Sequence, residues 1–526
     1  MRRILIAALA SVLALLPARI AAQDHAHAGE KVGTVTFPVS CNADAQQRMN
    51  GAVAMLHSFW FPEARKAFES VAQADPECGM AHWGVALTHF GNPIAGGAGA
   101  QGQAAGWQAA RSAMAAGAKS SRDSAYIDAV ATLFRDHDKS ANGARMLAYE
   151  RAMKAIVDRY PDDTEAKVFH GVIMVANAPP TDMTFAQQKK AAEILTALYK
   201  EQPDHPGLAH YIIHAFDSPP LAHFAIDAAR QYAAIAPAAP HALHMPSHTF
   251  TRLGYWDESI QTNRRAADTE PSPGAKAHPM DYMVYAFLQQ GRDAAALAVI
   301  RELGGDPSGD YVAGTLSGYN ALAMPARYAL ERDDWAAARA LSVGTGPASA
   351  VAVRRFARGL GAARSGDAAG AKAEVVELQR LAAALKAEND AYWAIAVDAQ
   401  HVALSAWIAH LEGRHQDALR LAREAADTED KVEKHAVTPG PLVPARELYG
   451  DILMIHSQPA NALVAYEQTL RREPNRFRTI YGAAKAARAA GQTDVARRYY
   501  GDLIKLLDAN SERAALGEAR AFLAQK

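Results

Sequence analysis

The chain has little of what marks several large classes of protein. It has only two cysteines in 526 residues, Cys41 and Cys78, and neither lies in a CxxC pair, which argues against redox catalysis. The formal net charge is -1 and no polybasic run occurs, so there is no electrostatic footprint for nucleic acid or a membrane surface. Aromatic residues make up only 8% while 50% of residues are hydrophobic and alanine is abundant, which favours closely packed helices over sheets.

Long apolar runs are confined to the first residues. Arg2 and Arg3 precede an apolar stretch from Ile4 to Leu16, the pattern of a cleaved secretory signal peptide over residues 1–22. Nothing later approaches the roughly 20 apolar residues that a bilayer span needs. We therefore expect no membrane span, a flexible leader over residues 23–40, and a periplasmic or secreted protein.

The export prediction bears on the two cysteines. In an oxidising compartment a minimal pair favours one disulfide between Cys41 and Cys78, which would tie the mature N-terminal segment to the first helical hairpin. Two buried free thiols are the alternative.

Common catalytic motifs are missing as well. The sequence has no GxSxG, no Walker loop, no dinucleotide fingerprint and no Cys/His nucleophile arrangement. The usual hydrolase, kinase and dehydrogenase interpretations therefore lack support.

What the sequence does contain is a repeat of about 34 residues, the length of a tetratricopeptide (TPR) helix-turn-helix unit. With Pro76 at position 32, Ala52, Ala64 and Phe68 fall at positions 8, 20 and 24. The register recurs toward the C-terminus, which predicts an all-α fold, a TPR-like α-α superhelix over residues 41–526. A glycine-rich run predicts a long loop near 92–106, and NAPPTDMT predicts an inserted loop near 177–184.

The mature chain resembles a group of exported bacterial TPR proteins. The resemblance is carried by LHSFWFPEARKAF, AHWGVAL, HALHMPSHTFTRLGYWDE and TPGPLVPARELYGDIL. It brings no activity with it. The wider TPR family implies a right-handed superhelix whose concave groove is lined by the first helix of each unit and usually holds peptides or partner proteins.

Histidines cluster at groove positions of three consecutive units, which start at Pro206, Pro240 and Ala277. Positions 2, 5 and 9 of these units hold six histidines among nine residues, and the same positions in three other units hold none. The six are His210, His214, His241, His244, His248 and His278, with Asp281 and Tyr285 as further polar members.

The histidine spacing suits a metal ion. Residues four apart share a helix face, so the pairs His210 with His214 and His244 with His248 are each spaced to share a metal, with Asp281 as the next ligand. Imidazole prefers zinc, copper, nickel or iron. Pro246 raises the alternative that His241 and His244 sit in an irregular turn. A polar ligand site without metal, and histidines that only hydrogen-bond to neighbours, are the other interpretations.

A late unit places two carboxylates, Glu447 and Asp451, at groove positions four residues apart. Such a pair suits acid-base chemistry, cation binding or contact with a basic peptide, and a solvated helix face is the alternative. Taken together, the sequence predicts an exported binding module whose groove takes a peptide, partner protein, small molecule or divalent transition metal. A periplasmic metalloenzyme and a plain assembly scaffold are the two alternatives.

Overall fold

Helices that turn back on one another form most of the chain. The computed structural model describes residues 30–311, 316 and 318–525. Among those residues there is no strand, and the one β pairing is an isolated bridge between Gly305 and Tyr311. The predicted signal peptide, residues 1–22, lies outside the described residues.

From residue 30 to residue 269, the chain contains thirteen α-helices and two short 3-10 turns, at Pro93–Ala95 and Ala222–Ala225. The helices are α1 (Ala43–His57), α2 (Phe61–Ala74), α3 (Gly79–Phe90), α4 (Ala100–Ala116), α5 (Ser121–Phe134), α6 (Asn142–Arg159), α7 (Thr164–Ala176), α8 (Ala186–Glu201), α9 (Pro206–Ala215), α10 (Ile226–Ile235), α11 (Pro240–His244), α12 (Pro246–Leu253) and α13 (Trp256–Thr269).

The helices of the second half are α14 (Pro273–Gln289), α15 (Asp293–Glu302), α16 (Tyr319–Leu330), α17 (Trp335–Ala340), α18 (Ala348–Arg364), α19 (Ala368–Ala387), α20 (Ala391–Leu411), α21 (His415–Glu429), α22 (Ala445–Ile455), α23 (Pro459–Arg472), α24 (Phe477–Ala489), α25 (Thr493–Leu506) and α26 (Ala514–Ala524). None of the described helices is long and apolar enough to span a membrane.

Every helix packs against the next one along the chain, and several also contact their second neighbour, as α1 does α3 and α20 does α22. This is the neighbour-on-neighbour stacking of a helical-repeat superhelix, in which no hairpin buries its apolar face alone. The predicted all-α, TPR-like fold is confirmed. Small residues permit the close approach: a Cβ at Gly84 of α3 would lie 2.2 Å from the Phe68 ring of α2.

The segment before α1 differs from the predicted flexible leader. Val32, Val35 and Phe37 are buried, and Phe37 packs against the rings of Trp83 and Tyr126. The leader prediction is therefore wrong for residues 31–40, because three apolar side chains at alternate or nearby positions find a place in the core. A disulfide joins Cys41 to Cys78 across a Cα–Cα distance of 5.3 Å and ties this segment to the start of α3.

One of the two predicted loops is shorter than predicted, and the other has about the predicted length. Helix α4 already begins at Ala100, so the glycine-rich stretch predicted as loop to residue 106 is partly helical. Gly106 has a packing reason to be there, since a Cβ would lie 2.1 Å from the Phe134 ring. Residues 177–185 do lie outside helices, between α7 and α8.

One connection is unusual because it crosses the middle of the array. The crossing segment, residues 430–444, joins α21 to α22 and runs over helices more than a hundred residues earlier. Its backbone accepts hydrogen bonds from Tyr282, Asn320 and Arg327, at Thr438, Val437 and Gly440 respectively, over 2.9 to 3.2 Å. The chain itself therefore covers one side of α14 and α16 in the middle repeats.

Candidate metal centre

Four helices between residues 206 and 289 bring six histidines to one place in the middle of the superhelix. His210 and His214 lie on α9, and the His205 ring accepts the backbone N–H of Leu208 to cap that helix, with Pro206 at its first position. The other four are His241 and His244 on α11, His248 on α12 and His278 on α14.

Pro246 does not displace His241 and His244 from the other four histidines. It begins α12 one residue after α11 ends, and the intervening Met245 keeps helical angles of φ -53° and ψ -36°. Proline is tolerated at the first helical position, where its missing N–H costs nothing. The four-residue spacing of His244 and His248 is therefore preserved across the break.

The six histidines form two neighbouring triads. In the first triad the ligand nitrogens of His210, His214 and His241 lie within 4.8 Å of one another. The second triad, which meets the same distance, consists of His244, His248 and His278. The ring centroids of His214 and His248 are 5.6 Å apart, and those of His241 and His244 are 5.9 Å apart, so the triads adjoin. The predicted set of four ligands is thus divided between two groups, each completed by a histidine assigned only to the groove.

Hydrogen bonds in the second triad fix which nitrogens carry hydrogen. His244 Nδ1 lies 2.6 Å from Asn263 Oδ1, and that amide is oriented by its nitrogen, which donates to the Ser259 carbonyl at 2.7 Å. His248 Nδ1 lies 2.9 Å from Asp217 Oδ2. Since both Nδ1 atoms donate, both neutral rings present a bare Nε2, and these two Nε2 atoms are 3.1 Å apart. Two lone pairs at that distance repel unless a cation lies with them.

The first triad has a similar but less constrained arrangement. His210 Nδ1 donates to the His57 carbonyl at 2.6 Å, which leaves its Nε2 bare and 3.1 Å from His241 Nε2. His214 Nε2 is buried with no hydrogen-bond partner in the part of the chain that the structure describes. An unpartnered buried nitrogen costs about 1 to 3 kcal/mol, which a bound ion would offset.

Burial makes protonation of these rings unfavourable. It lowers the pKa of all six imidazoles, with the neighbouring histidines lowering most of them further. The rings are therefore neutral near pH 7, which is the form that binds metal.

Asp217 orients His248 and is itself held by two cations. Its carboxylate contacts Arg252 Nε at 3.0 Å and Lys434 Nζ, from the crossing segment, at 3.2 Å. Burial opposes the charge, but Lys434 and Arg252 lower the pKa of Asp217 well below its ordinary value. A carboxylate behind a histidine is the usual outer partner of a metal ligand.

A third cluster, behind α9, is saturated with hydrogen bonds. Glu165 contacts His57 Nε2 at 2.8 Å and His205 Nε2 at 2.7 Å, and Tyr211 contacts His57 Nδ1 at 3.0 Å. Burial opposes ionisation of Glu165, yet the two histidines lower its pKa to about 2. This cluster positions the His57 carbonyl under His210 and leaves no ring nitrogen of His57 for an ion.

Asp281 belongs to neither triad, and the structure engages its carboxylate elsewhere. Its carboxylate is fully buried against Arg327, with Oδ1 2.9 Å from Nε, and Asn320 contacts its other oxygen. Burial acts against the guanidinium charge, but Asp281 raises the pKa of Arg327. Burial also raises the pKa of Asp281, and Arg327 and Asn320 act against that rise. Tyr285 is likewise buried away from the histidines, with its hydroxyl 3.4 Å from Arg476 Nη1.

Glu447 and Asp451 do not face an open groove. Glu447 is buried and contacts Arg476 at 2.8 Å and Arg478 at 2.9 Å. Asp451 accepts the Tyr466 hydroxyl at 2.7 Å. Buried arginines from the next repeat take up both carboxylates, so the predicted acid-base or peptide-contact role is replaced by an internal ion network.

A cavity of about 1030 Å³ reaches the first triad. His214, Asp217 and two residues of the crossing segment, Lys434 and His435, form one wall. Further lining comes from the 93–96 turn, the start of α6 near residues 141–147, the 175–182 loop and residues 388–392. His214 of the first triad therefore borders a space large enough for a small molecule.

Sequence reasoning missed several outer residues of the centre. Asp217 follows His214 by three positions in the same string, a spacing that points to one helix end and signals its role. Asn263 and Glu165 carry no such signal, because they reach the histidines from other helices.

Comparison with known proteins gives no family. No family model matches the chain, and no curated protein matches it. Among solved structures the chain is similar to the TPR domain of P58(IPK), at 17% identity and a TM-score of 0.21, over 69% of this chain and 99% of that one. The fold described above is established by the helix packing of this chain.

Proposed function

We propose that this protein binds transition-metal ions at the six histidines in the middle of its superhelix. The observation that carries the proposal is the 3.1 Å approach of two Nε2 atoms, on His244 and His248, whose Nδ1 atoms both donate to fixed acceptors. A metal ion that accepts both lone pairs relieves this repulsion. The unpartnered Nε2 of His214 supports the same assignment for the first triad.

The donor set narrows the choice of ion. Both triads consist of neutral imidazoles, the ligands that zinc, copper and nickel share, and neither contains a carboxylate. A site for non-haem iron with two histidines and one carboxylate loses its carboxylate, because Arg327 holds Asp281. Each triad supplies three protein ligands and leaves a position for an exchangeable group.

Two adjoining triads support binding of two ions. The closest rings across the boundary, His214 and His248, have centroids 5.6 Å apart, so ions in the two triads would be neighbours. Paired metal ions can act together on one bound molecule. The cavity beside His214 supports a metal-dependent enzyme as the second candidate function, with a small molecule entering from that side.

Export and partner binding remain proposals with separate support. The Cys41–Cys78 disulfide is typical of an oxidising compartment, which agrees with the signal-like N-terminus. A peptide or protein partner would have to use surfaces other than the side of α14 and α16 that the crossing segment covers.

Metal analysis of protein purified without a histidine tag or chelator tests the function. We expect stoichiometric zinc, copper or nickel in the native protein, or its uptake when the ion is supplied. The variant carrying His244→Ala and His248→Ala should lose the ion of the second triad. His223→Ala, an exposed histidine outside both triads, is the matched control and should keep full content.

Two results would contradict the proposal. One is a native protein that holds no stoichiometric metal and takes up none. The other is a double variant, folded by circular dichroism, that retains its full metal content. Turnover of a hydrolysable or oxidisable substrate that disappears in the double variant would favour the enzyme over the binding protein.

A further inference from the structure

A second group of histidines lies on the surface of the C-terminal repeats, far along the chain from the central triads. His410 is in the last turn of α20, His415 is the first residue of α21, and His456 caps the C-terminus of α22. Their ligand nitrogens all lie within 4.8 Å of one another. The ring centroids of His415 and His456 are 4.8 Å apart, and those of His410 and His456 are 5.2 Å apart.

The helical hairpin itself produces this arrangement. Gly413, with φ of +73°, allows the short turn that reverses the chain between His410 and His415. Helix α22 packs against both α20 and α21, so its C-terminal end brings His456 to the same turn. Three side chains from three helices therefore meet because the repeat geometry aligns the ends of those helices.

The rings lack the partners that structural histidines usually have. His410 Nδ1 and His456 Nε2 are enclosed by protein and have no hydrogen-bond partner among the described residues. In the Glu165 cluster, by contrast, each histidine contacts the carboxylate at 2.7 or 2.8 Å. The surface triad, His410, His415 and His456, thus contains two ring nitrogens without a hydrogen-bond partner among the described residues.

We propose that His410, His415 and His456 form a separate, solvent-accessible site for a divalent transition-metal ion such as Zn²⁺. Three imidazoles match the number of protein ligands in an open zinc site and leave one position for water or an external donor. His415 is exposed, so an ion exchanges directly with solvent, unlike one held by the buried triads. The nearby cation Arg364 has Asp451 as its counter-charge, 3.8 Å away.

Histidine footprinting of the full-length protein with diethylpyrocarbonate, read by mass spectrometry, tests this site directly. Zn²⁺ should protect His410, His415 and His456 together, while the exposed His223 stays reactive. The His415→Ala variant removes one ligand from an exposed position, where folding is not at stake. It should weaken the Zn²⁺ protection of His410 and His456 by at least about tenfold, the lower end of the cost of disturbing a metal site.

Two footprinting results would overturn the proposed surface site. Labelling of His415 that Zn²⁺ leaves as strong as that of His223 overturns the site. Protection of His410 and His456 that persists undiminished in His415→Ala overturns it too. Because the readout is residue by residue, loss of the central metal centre leaves this test unaffected, and failure here leaves the central proposal standing.

Discussion

Replacing Asp281 distinguishes a metal ligand from a structural ion-pair partner. The structure places Asp281 and Arg327 in a fully buried pair, 2.9 Å apart, outside both histidine triads. Asp281→Ala removes the carboxylate and leaves the guanidinium buried without its counter-charge. Loss of one partner from a buried pair costs about 3 to 5 kcal/mol of folding free energy.

The surroundings of Arg327 set where in that range the effect falls. The guanidinium keeps three oxygen acceptors after the substitution: Thr438 Oγ1 at 2.7 Å, Gly440 O at 2.9 Å and Pro441 O at 3.1 Å. These three hydrogen bonds to Arg327 remain when the Asp281 carboxylate is removed. We therefore expect the free energy of unfolding to fall by about 3 kcal/mol, the lower end of that range. The double variant Asp281→Ala with Arg327→Met leaves neither charge unpaired and should recover most of the loss.

The free energy of unfolding is measured by urea titration, monitored both by circular dichroism and by tryptophan fluorescence. Two probes are needed because a repeat array can unfold in parts. Metal content is measured on the same samples. We expect Asp281→Ala to be destabilised with unchanged metal content. An Asp281→Ala protein of normal stability that has lost metal would refute the structural assignment and restore Asp281 as a ligand.

Three further predictions concern other parts of the chain. Asn263→Leu removes the acceptor that orients His244 and should weaken metal affinity by about 10- to 100-fold, measured by competition with a chelator; unchanged affinity would show that the amide does not orient the ring. Replacing Cys41 and Cys78 by serine opens a link across a sequence separation of 37 and should cost about 4 kcal/mol by the loop-entropy estimate, measured by urea unfolding; equal stability with and without reductant would contradict this. Burial opposes ionisation of Glu447, but Arg476 and Arg478 lower the pKa of Glu447 to about 2, below its unfolded value. The ionised Glu447 therefore stabilises the fold above about pH 4.5, and this contribution is lost as the pH falls toward 2. Glu447→Gln should flatten the stability profile over that acid range, and an unaltered slope between pH 5 and about 2 would count against the ion network.

The repeat pattern predicts the fold because it reports local packing. Ala52, Ala64 and Phe68 recur at positions where neighbouring helices touch, and Gly84 sits against the Phe68 ring as a small residue must. The same register also places the histidines on one wall. Those inferences need only the spacing within a unit and the stacking of the next unit.

The site predictions that differ from the structure involve side chains whose partners lie in another repeat. Asp281 has a groove position, but Arg327, 46 residues later, takes its carboxylate. Glu447 is likewise taken by Arg476 and Arg478, 29 and 31 residues later. A pattern of single positions cannot show that a buried cation from another repeat neutralises an acid, and the sequence gives no repeat mark for the crossing segment.

The crossing segment has a consequence for how the protein is made. In a helical-repeat array each repeat contacts only its neighbours, so folding can begin at any repeat and spread to the next. Here Lys434 contacts Asp217 over a separation of 217 residues, and Asp217 orients His248. The second triad therefore lacks part of its support until the crossing segment, from the C-terminal third of the chain, has docked, and contacts of such long range form slowly. In the proposed metal-binding function, loading of the second triad would therefore follow the docking of the crossing segment.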